Sequence, residues 1–258
     1  MTRPTTCNVS RVLGTALCFV TFGIGALALA VFVWPVLTLV SRDPRVRARR
    51  ARRVVRVTLR AFVAMMHGLR VLDYSFTGKE RLGQPGQLVL ANHPTLIDAV
   101  MLLAFVRDAS CVAKSALFAS PLFRGALLAC GYIDSRYTLE MIEEATLRLR
   151  AGECVVMFPE ATRTRPGQEA TFHRGAASIA LRSGARVTPV FIDCDPPLLV
   201  KGRPWYRVPA QRPRLTLRAG EDFDVTAFAA LTPPPRASHA CNQALLALFA
   251  AQRRPPAR

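Results

Sequence analysis

An α/β domain with a mixed, mostly parallel sheet flanked by helices, preceded by an N-terminal membrane helix or broken membrane helix, is expected of this chain. Three observations carry that expectation. Residues 12–40 contain no charged side chain, a dense arginine run follows them, and beyond residue 69 short apolar runs alternate with stretches of helical period. Alternation of that kind marks βαβ units packed in layers.

The apolar stretch comes first. As a helix it would reach ~44 Å, ample against a hydrocarbon layer of ~30 Å. It is too long for the apolar part of a signal peptide and lacks a convincing small-x-small cleavage site before the basic run. Pro35 leaves two forms open, a tilted span and a broken helix that dips into one leaflet. The membrane segment is bounded at 1–41. Arg42, Arg45, Arg47, Arg49, Arg50, Arg52, Arg53, Arg56 and Arg60 then define a basic juxtamembrane helix over 42–68. Such a cluster marks the cytoplasmic side and binds anionic lipid, with Arg3 and Arg11 a weak counterweight. The expected location is the inner (cytoplasmic) membrane, with the remaining domain, 69–258, facing the cytoplasm.

Within that domain strands are expected at 71–76, 87–91, 110–113, 154–158, 187–192 and 214–218, and helices at 97–105, 115–129, 138–150, 176–183 and 237–251. The proline-rich pieces 196–197, 204–213 and 233–235 read as loops on the C-terminal side of the core.

Composition narrows the partners. The chain has 258 residues, 51% of them hydrophobic, enough for one sizeable core beside a membrane segment. Its formal charge of +18 favours anionic partners: lipid headgroups, acidic carrier proteins or nucleic acid. A nucleic-acid arm would interleave aromatics with its arginines, which this run does not, so no nucleic acid is expected. Lysine is rare, at Lys79, Lys114 and Lys201 alone. The seven cysteines show no Cys-x-x-Cys spacing and the four histidines stand far apart, so no metal is expected. No resident cofactor is expected either. A Gly-x-Ser-x-Gly elbow is absent, and a serine or cysteine hydrolase is poorly supported.

The sharpest chemical signal is Asn92-His93-Pro94-Thr95-Leu96-Ile97-Asp98, directly after the buried-strand run Leu88-Val89-Leu90-Ala91. Pro94 suits the first turn of a following helix, which would set Asp98 one turn beyond the histidine. A carboxylate there can fix the imidazole tautomer and steady its charged form, leaving a base able to take a proton from a hydroxyl. Phe158-Pro159-Glu160-Ala161-Thr162-Arg163-Thr164 follows a second run, Cys154-Val155-Val156-Met157, so two polar clusters can meet at one cleft. Blander readings remain beside these: a loop histidine, a solvated aspartate, and a Glu160-Arg163 ion pair that merely ties down a loop.

Together the two stretches resemble the N-H-x4-D and F-P-E-G-T-R motifs of the glycerophospholipid acyltransferase family, the lysophosphatidic acid acyltransferases and their relatives. Phe172-His173-Arg174-Gly175 and Val187-Thr188-Pro189-Val190 are similar to two further family elements. Ala161 replaces the usual Gly, which implies either an ordinary backbone there or accepted strain. The Gly131 to Arg136 block is one residue short of the family's.

The resemblance implies that 69–258 is an acyltransferase catalytic domain with His93 and Asp98 catalytic. Glu160, Thr162 and Arg163 would bind substrate, with Arg136 and Lys114 as further anion contacts. His93 would deprotonate the acceptor hydroxyl, which attacks a fatty acyl thioester carried by acyl carrier protein or coenzyme A. The expected acceptor is a lysophospholipid, foremost lysophosphatidic acid giving phosphatidic acid. Because Lys201-Gly202-Arg203-Pro204-Trp205-Tyr206 also resembles a subgroup found beside bacterial polyene-pigment synthesis, a specialised or polyene-containing lipid stays open as acceptor. So does a non-catalytic membrane lipid-binding role.

Overall fold

The computed structural model describes residues 9–164, 168 and 170–252. The apolar stretch is helical throughout, as α1 (Val9–Ala28), a π turn (Leu29–Val33) and α2 (Trp34–Val40). Pro35 explains the wide turn. Its ring would crowd the carbonyl four residues back, and the Trp34 N–H reaches five residues back to Leu29 O instead. The 32-residue helix is long and apolar enough to cross a membrane, and Leu13, Val20, Ile24, Phe32 and Leu39 face outward.

After a short turn comes α3 (Pro44–Gly68), started by Pro44 and by the Asp43 carboxylate, which accepts from the Arg45 N–H. It packs on α1 and α2. The arginine run is not one solvated, lipid-facing surface. Ala48, Ala51, Arg52, Val63 and Met66 fall on the inward stripe of α3, so Arg52 is buried. It answers that burial with an ion pair to Glu153 at 2.8 Å and a hydrogen bond to the Asp108 carbonyl at 3.1 Å. Arg42, Arg45, Arg53 and Arg60 stay exposed.

The domain continues with β1 (Asp73–Thr77), β2 (Gln87–Ala91), α4 (Asp98–Phe105), β3 (Ala109–Ala113), α5 (Ser115–Ala119), α6 (Pro121–Ala129) and β4 (Ile133–Asp134). Then follow α7 (Thr138–Arg150), β5 (Cys154–Met157), α8 (Gly175–Ser183), β6 (Arg186–Asp195), β7 (Arg214–Ala219), α9 (Thr226–Ala229) and α10 (Pro234–Ala251). The described strands form one seven-stranded sheet in the order β1-β7-β6-β2-β5-β3-β4. β6, β2, β5, β3 and β4 are mutually parallel, while β7 lies antiparallel to β6 and parallel to β1.

Helices cover both faces, which is why β2 and β5 read as unbroken apolar runs. Val89, Ala91 and Val156 pack with residues of α3 and α4, whereas Leu88, Leu90 and Val155 pack with α7, α8 and α10. Three expectations shift. The helix expected over 115–129 divides at Ser120, held extended by the proline that follows it. The two-residue β4 was too short to register as a pattern. And α4 begins at Asp98, so Pro94 lies in the preceding loop rather than in a first helical turn.

Candidate active site

The carboxyl ends of β2 and β5 lie side by side, because the two strands are parallel neighbours with Leu90 opposite Met157. The loops that follow them must therefore meet. Asn92 opens the first loop and extends the β2–β6 pairing by one rung: its Nδ2 donates to Ile192 O and its Oδ1 accepts from the Ile192 N–H, both at 2.7 Å. That pins the backbone from which His93 projects.

His93 Nδ1 lies 2.8 Å from Asp98 Oδ2. Asp98 is wholly buried at the start of α4, and its carboxylate also accepts from the Thr95 N–H at 2.7 Å and the Thr95 hydroxyl at 2.5 Å. Burial pushes the Asp98 carboxyl above its ordinary value, while the bonds from His93 and Thr95 pull it back. An ionised carboxylate can only accept, so Nδ1 carries the proton and Nε2 keeps a free lone pair. Phe158 stacks on the imidazole with centroids 4.4 Å apart, fixing the ring plane.

The second loop is stitched to the first by Glu160. Buried to 2% exposure, it accepts from the His93 N–H at 3.2 Å through Oε1 and from the Thr164 hydroxyl through Oε2. The Thr164 N–H returns a bond to His93 O at 3.1 Å. Both Glu160 oxygens thus hold the loops together, and no ion pair joins Glu160 to Arg163 among the described residues. Ala161 takes the left-handed backbone with φ 52°, so the strain is accepted where a glycine would be free of it. It costs about 1–2 kcal/mol. The Phe172-Gly175 element backs this turn, with the His173 N–H on Pro159 O at 2.9 Å and Phe172 packed on Phe249.

Arg163 Nη1 donates to Leu199 O at 3.0 Å, and Lys201 Nζ donates to the Thr162 hydroxyl at 2.9 Å. Glu160, Thr162, Arg163, Thr164, Gln168, Thr171 and Lys201 line a cavity of roughly 160 Å³. Lys114, which precedes α5 at the end of β3, has its pKa lowered by partial burial and then by the charges of Lys201 and Arg163. Four of the five expected binding residues therefore gather here. Arg136 does not: β4 lies three strands from β2, ~14 Å away at normal strand spacing, and the exposed Arg136 side chain faces Asp134 at 3.9 Å.

Lys201, Phe158, Thr95 and Thr164 are members that motif reasoning did not assign. Lys201 had one signal, being one of only three lysines in a chain otherwise basic through arginine. The described cysteines offer no nucleophile, since burial pushes the thiols of Cys111, Cys130, Cys154 and Cys194 up to about 12. No group of three His, Cys, Asp or Glu among the described residues could hold a metal ion.

A tautomer-fixed histidine beside a cationic cavity suits deprotonation of a hydroxyl on an anionic molecule. Known proteins similar to this chain carry acyltransferase names. Residues 73–193 match the family model described as Acyltransferase. A 1-acyl-sn-glycerol-3-phosphate acyltransferase of Chlamydomonas reinhardtii is 27% identical over 174 residues, 65% of this chain and 49% of its own length. One of Pseudomonas aeruginosa is 26% identical over 170 residues, 64% of this chain and 66% of its own. The chain thus spans about half the length of the first of these relatives and about two-thirds of the second. The crystal structure of the 1-acyl-sn-glycerophosphate acyltransferase PlsC from Thermotoga maritima has the same fold, with TM-score 0.70 and 21% identity, covering 98% of this chain and 100% of that one. Through residues 73–193 the chain is similar to the Acyltransferase family.

Proposed function

We propose that the chain transfers a fatty acyl group from a thioester to the free hydroxyl of a lysophospholipid, foremost lysophosphatidate to give phosphatidate. The observation that carries this reading is the His93 ring, its Nδ1 held by buried Asp98 and its Nε2 left as a base, on a loop whose backbone Glu160 and Thr164 tie to the Arg163 and Lys201 cavity. His93 Nε2 takes the acceptor proton while the hydroxyl oxygen attacks the thioester carbonyl. The C–S bond breaks, and the departing thiolate receives the proton from His93. The acceptor is itself the nucleophile, so no acyl-enzyme is required.

Arg163 and Lys114 hold the acceptor phosphate, and Thr162 holds Lys201 in place. Glu160 positions His93 through its backbone N–H. Either an acyl carrier protein or coenzyme A would present the donor as an anion, in keeping with the charge of +18.

The same reading places the chain at the cytoplasmic face of the inner membrane. Three features support it: the outward apolar face of α1 and α2, the exposed arginines of α3, and Trp205, 44% exposed and edge-on to Phe19 of α1 at 5.8 Å. Purified full-length protein given a fatty acyl thioester should release thiol only when lysophosphatidate is present, with phosphatidate as the lipid product. Thiol release indifferent to acceptor would defeat the proposal.

A further inference from the structure

We infer that Lys201, which lies outside both sequence motifs, is the third cation of the acceptor phosphate site and that the site therefore selects a phosphate monoester over a phosphodiester. This rests on the acyltransferase reading given above.

The loop after β6 carries Lys201 back over the carboxyl edge of the sheet. It is rooted rather than draped. Leu198 and Val200 are buried in the core, and the Leu199 carbonyl accepts from both Arg163 Nη1 and the Leu96 N–H, one from each catalytic loop. Leu199 takes φ 51° between those two anchors. The next residue is thereby delivered to the cavity, where its ammonium bonds Thr162, the sequence neighbour of Arg163. That bond uses one of three ammonium donors.

Charge makes this arrangement informative. Among the described residues no ion pair includes Lys114, Arg163 or Lys201. Glu160 is the one carboxylate among the described lining residues, and both its oxygens already accept. Partial burial and then the charges of Lys201 and Arg163 lower the Lys114 pKa, which places Lys114 near those two cations. Cations gathered with no counterion among the described residues repel one another until an anion joins them. A phosphate monoester brings about −1.5 to −2 charges at neutral pH, close to what the cluster lacks, whereas a diester brings only one.

The test compares acceptor kinetics of full-length wild type, Lys201→Met, Lys201→Arg and Arg163→Met on lysophosphatidate, lysophosphatidylglycerol and monoacylglycerol. Loss of one charge-assisted contact should raise the Lys201→Met acceptor KM for the monoester by about 10- to 100-fold. The rise should be smaller for the diester and absent for the neutral lipid, with donor KM held and Lys201→Arg largely restoring the monoester. Thermal unfolding of each variant checks the fold. An equal loss on all three acceptors makes Lys201 structural and overturns the inference. So does an unchanged Lys201→Met beside an Arg163→Met that has lost its phosphate preference, an outcome that leaves the acyltransferase reading standing. Wild type with no preference for the monoester would instead overturn the phosphate-acceptor reading itself.

Discussion

Asp98→Asn separates catalysis from stability in this site. Asp98 Oδ2 stands 2.8 Å from His93 Nδ1, and at an effective dielectric constant of about 20 a full charge pair at that distance is worth about 6 kcal/mol. That caps the loss near 10⁴-fold, at about 1.36 kcal/mol per factor of ten. The floor is the difference between a charged and a neutral hydrogen bond, on the order of 1 kcal/mol or about fivefold to tenfold. The amide can still accept from the Thr95 N–H, but its NH₂ group invites the wrong imidazole tautomer. Turnover should therefore fall by about 10²–10⁴.

Stability should move the other way with pH. Burial raises the folded-state value of Asp98, so the stability it contributes is present below its unfolded value of about 3.9 and is lost as pH rises through the folded value. The Tm of Asp98→Asn relative to wild type should accordingly climb as pH rises from about 4 through the folded value. Thiol-release rates and detergent-phase thermal melts across that range measure both effects. A variant within threefold of wild-type turnover, or a Tm difference flat with pH, would undo this view of Asp98.

Arg163→Lys keeps the charge but loses the planar fork that bonds Leu199 O and faces the cavity, so acceptor KM should rise while donor KM holds in steady-state kinetics. Arg52→Ala should destabilise by about 1–3 kcal/mol, because it removes a buried guanidinium bonded to Glu153 and to the Asp108 carbonyl while Arg148 and Arg49 stay beside the Glu153 and Asp108 carboxylates, whereas exposed Arg53→Ala should stay within about 0.5 kcal/mol in matched melts. Ala161→Gly relieves the left-handed backbone at φ 52° against added unfolded-state entropy, for a net gain of about 0.5 kcal/mol and a Tm rise of about 1–2 °C.

Strands buried on both faces were the easiest elements to read. Residues 87–91 and 154–157 are unbroken apolar runs, and α7 over Thr138–Arg150 has the helical period from end to end. The meeting of the two polar loops also followed, since parallel neighbours deliver their carboxyl ends together. Other features depend on tertiary path and left no local trace. Asp98 is a helix start rather than a residue one turn inside, because Thr95 spends its N–H and hydroxyl on the carboxylate instead of on a helix. Arg52 reads like its neighbours until α3 docks and turns that one guanidinium inward. Lys201 reaches the cavity only through the fold-back after β6, and Glu160 is drawn into joining loops by a partner 67 residues away in sequence.

Turnover of His93→Ala on acyl thioester and lysophosphatidate, followed as thiol release and phosphatidate formed, bears on the whole scheme. Wild type should release one thiol per phosphatidate. His93→Ala should fall by at least about 10²-fold while thermal unfolding and retention on vesicles stay as in wild type. Near-normal acyl transfer by a folded, membrane-bound His93→Ala protein would contradict a general base at Nε2.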